Sequence, residues 1–578
     1  MPYDYLAPTR DMRFVIERVL RAPQSWAACP AFVDVDPSTC GAVLEEAARF
    51  AREVLLPLNA RGDAQGCVRD EAGSVRTPQG FRQAYQAYVE GGWPALPCSP
   101  QWEGQGLPLL LDAAVREMLD ACNHAWNMYP DLLHGAYETL KAHGSEALKS
   151  RYLADIATGR TLAAMALTEP GAGSDLGVLR SKAEPQADGS WRISGSKIFI
   201  SGGEHDLTEN IVHLVLARAP DAPEGTRGIS LFLVPKRLPD GRRNDMICEG
   251  LEHKMGIHGS ATCAMRYEGA TGWLVGQLHR GLSAMFLMMN SARLHVGLQG
   301  LGHQEMALQN ALRQAQDRVQ GGAPIARHPA VRHLLLRQQA LTEAQRCIAY
   351  RAALALDEAA HHASPEQRAE QAAVAALLTP VVKAYCTAQG FEGASRALQV
   401  YGGYGYVAET GIEQTVRDAR IAMIYEGTNE IQAIDLVQRK LLADEGRALA
   451  LLLAEYEAEA AAAQGFEDLQ DLVAALRGQM AQARQGLAQL QALSRQGRGP
   501  LLAVCDDALQ ALAHLMLAWA FVAGARAACE VRREDPSASA WAQAKLDRMR
   551  YGVEWVLPQA QVHWAALQAT RALPEVVA

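Results

Sequence analysis

The sequence predicts an α+β chain, mainly α, in which helical segments flank a single β-domain. Three observations carry this expectation. At 578 residues the chain is longer than one hydrophobic core can serve, so roughly three or four domains are expected. Apolar residues recur at helical spacing through both ends. Only between Thr161 and about Gly281 does the texture change to short alternating runs closed by Asp-Gly, Gly-Gly and Pro turns.

Residues 1–160 read as an N-terminal helical domain, with helical spacing in segments such as Leu109 to Ala121 and Gly135 to Lys149 and a Gly/Pro-rich loop from Gly91 to Pro108. Residues 161–281 read as the β-domain, a barrel or a sandwich. Its strands are Trp191-Arg-Ile-Ser, Lys197-Ile-Phe-Ile-Ser, Ile211-Val-His-Leu-Val-Leu-Ala and Ile229-Ser-Leu-Phe-Leu-Val. Residues 282–450 return to helical periods as a bundle that carries Glu426, and Asp444-Glu-Gly breaks the pattern. Residues 451–578 form an additional C-terminal helical domain, where spaced Leu, Val and Phe among the Ala and Gln suit packed helices better than disorder. The apolar run Ala511 to Ala525 contains His514 and falls short of the roughly twenty residues a bilayer span needs, so it is expected as a buried helix. No transmembrane segment is expected.

A formal net charge of −9 and a pI near 6.0 give no positive field for a phosphate backbone, so nucleic acid is not expected as a partner. The tail from Leu451 to Ala578 agrees, with 11 Lys and Arg against 14 Asp and Glu. The 11 cysteines show no C-x-x-C pair and are odd in number, which fits a reducing compartment. The start lacks a basic region followed by an apolar one, and the final Pro-Glu-Val-Val-Ala is no peroxisomal tripeptide. A cytoplasmic location is the expectation.

Two strings could carry chemistry. Met165-Ala-Leu-Thr-Glu-Pro-Gly-Ala-Gly-Ser-Asp175 begins as a strand and enters a glycine-rich loop that offers backbone N–H groups and hydroxyls under little steric cover. An ordinary strand-to-turn connection would have the same composition. Gln399-Val-Tyr-Gly-Gly-Tyr-Gly405 is followed by Arg417-Asp418 and by Ile424-Tyr-Glu-Gly-Thr-Asn-Glu-Ile-Gln432. Helical spacing on both sides puts Glu426 in a short break, where Gly427 relieves crowding and Thr428 or Asn429 can cap the next helix. Spacing alone leaves Glu426 either a cleft carboxylate or a surface acid favoured by the helix dipole. The Gly402-Gly403-x-Gly405 cluster lacks dinucleotide-binding spacing, no G-x-S-x-G elbow occurs, and His253, His258 and Cys263 show no recognised metal-ligand spacing. No metal is expected.

The two strings, in this order and about 250 residues apart with a β-domain between helical halves, resemble the acyl-CoA dehydrogenase family. The resemblance covers roughly residues 35 to 445 and includes Lys197-Ile-Phe-Ile-Ser-Gly-Gly, Asn290-Ser-Ala-Arg293 and Arg417-Asp-Ala-Arg-Ile-Ala-Met-Ile-Tyr-Glu-Gly-Thr. Glu252-His-Lys-Met-Gly-Ile-His-Gly-Ser260, Gly300-Leu-Gly-His and the added tail resemble the longer bacterial members, the branch of fatty acyl-CoA and 3-methylthiopropanoyl-CoA dehydrogenases.

The resemblance implies FAD held between the β-domain and the second helical domain. Met165, Leu167 and Thr168 would lie beside the isoalloxazine, with Phe199 and Ser201 at its other edge. It implies that Arg318, Gln399, Gly402 and Gly403 reach the FAD of a neighbouring subunit in a homodimer, while Thr428 touches the local one. The family often carries Arg-x-x-Phe at this point, whereas Arg318 is followed by Val-Gln-Gly-Gly. Ser174 and Arg293 match residues near CoA, and Tyr425 and Gly427 flank the thioester. Glu426 matches the base that removes the α-proton of an acyl-CoA, in fatty acid β-oxidation, while the flavin accepts the β-hydride. The implied enolate donors are the backbone N–H of Glu426 and a ribityl hydroxyl, and the implied electron acceptor is an electron-transfer flavoprotein. An acyl-CoA oxidase and a DNA-associated flavoprotein of the same fold are the alternatives.

Overall fold

The computed structural model describes residues 3–568, so the terminal Pro574–Ala578 lies outside the described residues. Compact packing divides the chain into two units. One takes the chain up to Ala48, Leu109–Ala121 and everything from Val296 onward; the other takes Arg49–Pro108 and Cys122–His295. Each unit therefore gathers pieces that are far apart in sequence.

The second unit holds the β-domain. Its strands are β1 Leu162–Ala166, β2 Lys182–Pro185, β3 Trp191–Ser201, β4 Ile211–Arg218, β5 Ile229–Pro235, β6 Met246–Leu251 and β7 Thr262–Val275. They pair in the order β1-β4-β2-β3-β7-β5, β6 pairs with β7, and β5 pairs back onto β4. That last pairing closes a ring, which settles the choice between barrel and sandwich. β1 runs parallel to β4, and both are apolar almost throughout because neither face meets water. The runs expected as Trp191 to Ser194 and Lys197 to Ser201 are one strand, β3, whose pairing with β7 shifts register twice. Gly195 sits between the two runs at φ 145, and a Cβ there would lie 2.9 Å from the Ser181 Cα. Only glycine allows that approach.

Helices in this unit depart from the expected periods at identifiable residues. The period read from Gly135 to Lys149 is split into Leu133–His143 and Glu146–Ala157. A Cβ on the intervening Gly144 would fall 2.5 Å from the Leu140 carbonyl oxygen, and Ser145 caps the second helix by accepting from Leu148 N at 3.3 Å. Helix Leu109–Asn127 extends past Ala121 and is irregular at Asn123, at φ −161 and ψ 80. Asn123 Oδ1 there accepts from Trp126 N at 3.0 Å, replacing a lost helical partner.

The other unit is helical. Helices Pro329–His361, Pro365–Tyr401 and Cys505–Glu534 form its centre, with Arg447–Ala463, Gln470–Gln496 and Ser539–Tyr551 packed around them. Ala511 to Ala525 is buried as expected, but it belongs to a helix of 30 residues. Two described helices, Pro365–Tyr406 and Cys505–Glu534, are long and apolar enough to cross a membrane, and their most apolar windows are 72% and 94% buried. Charged groups fasten the tail to the rest of this unit. Lys545 Nζ lies 3.0 Å from both Asp11 Oδ1 and Glu343 Oε1, and Arg351 Nη2 lies 2.8 Å from Glu455 Oε2. Arg346, fully buried, pairs with Glu117 at 2.6 Å and Glu305 at 2.7 Å. Lys545, Arg351 and Arg346 are themselves buried, so removing their acidic partners would strand a buried charge.

Candidate active site

In the helical unit, Tyr425, Glu426 and Gly427 form the expected break between a short helical turn ending at Met423 and helix Asn429–Asp435. Thr428 is the cap, accepting from Ile431 N at 3.4 Å. Glu426 is only partly buried and holds φ 55, and Gly427 holds φ 85. A left-handed backbone costs a residue with a Cβ about 1–2 kcal/mol, so neighbouring contacts must hold Glu426 there.

Those contacts go to the backbone oxygens. Gln432 Nε2 donates to the Glu426 carbonyl at 3.1 Å. Lys383, 0% exposed on helix Pro365–Tyr401, donates from Nζ to the Gly427 carbonyl at 2.7 Å and to Asn429 Oδ1 at 2.9 Å. Asn429 Nδ2 in turn donates to the Ala384 carbonyl at 3.0 Å. A Cβ on Gly427 would come within 2.8 Å of Gln432 Nε2, so glycine is needed there for space as well as for φ. Tyr425 donates its hydroxyl to Gln299 Oε1.

In the β-containing unit, Met165 is the buried fourth residue of β1, and Leu167 and Thr168 follow its end, partly buried. The chain there is tied to β3. Ile198 N donates to the Thr168 carbonyl at 3.0 Å, and Lys197 Nζ donates to the Leu167 carbonyl at 2.9 Å. Lys197 also pairs with Glu169 at 2.8 Å, both side chains being within 8% of full burial. Burial pushes the lysine down to about 8, opposed by Glu169. Burial also works against the Glu169 carboxylate, but Lys197 and the N–H groups of Ser181 and Arg180 outweigh it and hold the group below its ordinary value.

Phe199, one residue beyond Ile198, holds φ 58 and leaves 58% of its surface exposed, and Ser201 is partly buried at the end of β3. The loop after Glu169 is open: a Cβ at Gly171 or Gly173 would meet nothing within 4 Å. An exposed aromatic ring, two free-standing glycines and the Thr168 and Ser201 hydroxyls fit the edge of a planar, hydrogen-bonding cofactor such as FAD.

The turn beyond Ser201 is anchored from below. His213 is fully buried, which pushes it down to about 3 and keeps it neutral. Its Nε2 donates to the Gly203 carbonyl at 2.9 Å, so Nδ1 accepts from the Tyr267 hydroxyl at 2.7 Å. Glu204 accepts from Lys236, and from Arg243 at 2.7 Å.

The remaining expected residues are placed less tightly. Ser174 is exposed on the glycine-rich loop, and Arg293 is buried on helix Gly281–Asp317, 3.4 Å from Asn290 Oδ1. Arg318 stacks its guanidinium 5.8 Å from the Tyr404 ring, bringing it to the Gly402–Tyr406 turn, and Gln399, Gly402 and Gly403 are exposed beside it. His258 is engaged in the loop, with Nδ1 2.8 Å from Asp63 Oδ1, while Cys263 is buried on β7. Sequence reasoning missed Lys383, Gln432 and the Glu169–Lys197 pair. Lys383 could have been found, because it is a lone charge in the apolar stretch Leu377 to Cys386.

The chain matches the acyl-CoA dehydrogenase N-terminal domain over residues 39–160, the middle domain over 164–270 and the C-terminal domain over 279–442. The acetyl-CoA dehydrogenase C-terminal-like description matches residues 452–573. A 3-methylmercaptopropionyl-CoA dehydrogenase of Ruegeria pomeroyi is 46% identical over 457 residues, 77% of each chain. A broad-specificity linear acyl-CoA dehydrogenase of Mycobacterium tuberculosis is 35% identical over 527 residues, 84% of this chain and 85% of that one. A Caenorhabditis elegans structure described as ACDH-11 in complex with C11-CoA superposes with a TM-score of 0.82 at 20% identity, covering 96% of this chain and 92% of that one, which is a likeness of fold.

Proposed function

The chain belongs to the acyl-CoA dehydrogenase family, and from that membership we propose Glu426 as the base of its reaction. The protein is an FAD-dependent oxidoreductase that introduces a double bond between the α and β carbons of an acyl-CoA thioester. The observation that supports Glu426 is its backbone: a carboxylate residue held in a left-handed turn by two side-chain donors, which a surface helix-cap acid would not require.

The Glu426 carboxylate takes the α-proton, and the electrons of that C–H bond form the new double bond as hydride leaves the β-carbon. Bound FAD supplies the hydride acceptor. The Glu426 backbone N–H is proposed as one donor to the thioester oxygen, where negative charge develops. Exclusion of water around Glu426 by the acyl chain raises its proton affinity toward that of the activated substrate.

Met165, Leu167, Thr168, Phe199 and Ser201 are proposed as the flavin-binding set, and Ser174 and Arg293 as contacts to CoA. Tyr425 and Gly427 are proposed to border the thioester, and Thr428 to contact FAD. The exposed cluster of Arg318, Gln399, Gly402, Gly403 and the 90%-exposed Tyr406 supports a homodimer in which this turn meets a second copy's cofactor. An electron-transfer flavoprotein is the proposed acceptor.

Anaerobic mixing with a graded acyl-CoA series tests the base and the substrate together. Wild-type protein is expected to bleach its flavin with short linear and 3-methylthiopropanoyl thioesters. Glu426→Gln should keep its yellow FAD and bleach roughly 10²–10⁴-fold more slowly. Bleaching at the wild-type rate would sink the assignment.

A further inference from the structure

The contacts that keep Glu426 in its left-handed turn come from the polar groups of a buried helix face. Three groups within about one turn of helix Pro365–Tyr401 are involved: the Lys383 ammonium, the Ala384 carbonyl and the Thr387 hydroxyl, which lies 3.3 Å from Asn429 Oδ1. Together they fix Gly427 and Asn429, the residues that follow Glu426. Gln432 fixes the Glu426 carbonyl from the helix that begins at Asn429. The carbonyls of Glu426 and Gly427 are therefore both held by side chains, which fixes the backbone from which the Glu426 side chain departs.

Resting on the reading of Glu426 as the base, we propose that Lys383 is its positioning residue: the buried ammonium locks the Glu426-Gly427-Thr428 turn in the conformation from which the carboxylate meets the α-proton. A fully buried lysine needs acceptors to offset its lost hydration, and this one directs its donors to the backbone of the reactive turn and to the Asn429 amide oxygen just beyond it. Methionine would fill the space of the lysine stem equally well but leave the Gly427 carbonyl without its donor. A misplacement of about 1 Å in a reacting group is enough to cost roughly 10²-fold in rate.

The test compares Lys383→Met, Lys383→Arg and Glu426→Gln in the full-length FAD-loaded protein, by single-turnover flavin bleaching and by KM and kcat. Lys383→Met should retain FAD, bleach roughly 10²-fold more slowly and lose kcat with KM little changed, and Lys383→Arg should restore part of the rate. In the FAD-free protein, amide hydrogen exchange across Tyr425–Gln432 should accelerate in Lys383→Met. Gln432→Leu, which removes the other donor, should give the same pattern if Lys383→Met does not fold. A wild-type bleaching rate in Lys383→Met, unchanged exchange in that peptide, or a rate that falls only in step with lost FAD overturns the proposal. If Glu426→Gln is slow while Lys383→Met is fast, this inference alone fails; if Glu426→Gln is fast, the base assignment fails and takes the inference with it.

Discussion

Two stretches of backbone carry the residues proposed for the chemistry of this protein, and a lysine with no exposed surface grips each of them. In the β-containing unit Lys197 holds the Leu167 carbonyl and pairs with Glu169. In the helical unit Lys383 holds the Gly427 carbonyl and Asn429 Oδ1. The device is the same, but the acceptors differ. Lys197 sits against a carboxylate, so the strand beside the proposed flavin set is fixed by a neutralised pair. Lys383 donates to a backbone carbonyl and a side-chain amide oxygen of the turn that carries Glu426, and its charge also favours the Glu430 carboxylate. One arrangement immobilises a strand; the other fixes a turn.

The contrast can be broken by removing the lysines in turn. The largest stability loss is expected for Lys197→Met, about 3–5 kcal/mol in urea unfolding, because Glu169 is left as a buried charge. Combining it with Glu169→Leu should recover only part of that loss, since the Arg180 and Ser181 N–H groups then lose their acceptor. Full recovery would mean that the carboxylate serves the lysine alone. Lys383→Met should cost less, about 1–3 kcal/mol, for the donors it takes from the Gly427 carbonyl and Asn429 Oδ1. A cost equal to that of Lys197→Met would erase the distinction between the two sites.

Smaller effects sharpen it further. Thr428→Ala should cost about 1 kcal/mol through loss of the helix cap and leave the Glu169 region untouched. Acid should weaken the Glu169–Lys197 tie. Glu169 is held below its ordinary value in the folded state, so its contribution is present above the unfolded value of about 4.3 and is lost as the pH falls through the folded one. Thermal midpoints followed below that pH should fall more steeply for the wild type than for Glu169→Gln. Parallel curves would show that the carboxyl titrates normally.

The order of elements was legible because periodicity is a local property. The run of strands from Leu162 to Val275, the cap at Thr428 and the break around Glu426 all follow from residues within a few positions of one another. Barrel closure was not legible, since pairing of β5 back onto β4 depends on the path of the whole sheet. The joining of Trp191 to Ser201 into one strand was hidden by Gly195, which reads as a turn residue but serves a close approach. In the site, the strings around Thr168 and Glu426 were visible, whereas Lys383 lies 43 residues before Glu426 and meets its turn only after folding. Nothing in local spacing reveals which carbonyl a buried ammonium will find.

The cage around Glu426 also bears on redesign. Lys383, Thr387 and Asn429 form one connected hydrogen-bond set and Gln432 separately holds the Glu426 carbonyl, so a random library spread over these positions should return mostly inactive clones, whatever acyl group is screened. Diversity aimed at a new substrate is better placed on side chains that bind no backbone oxygen of the turn. The residues that hold the turn of the proposed base constrain where this enzyme can change.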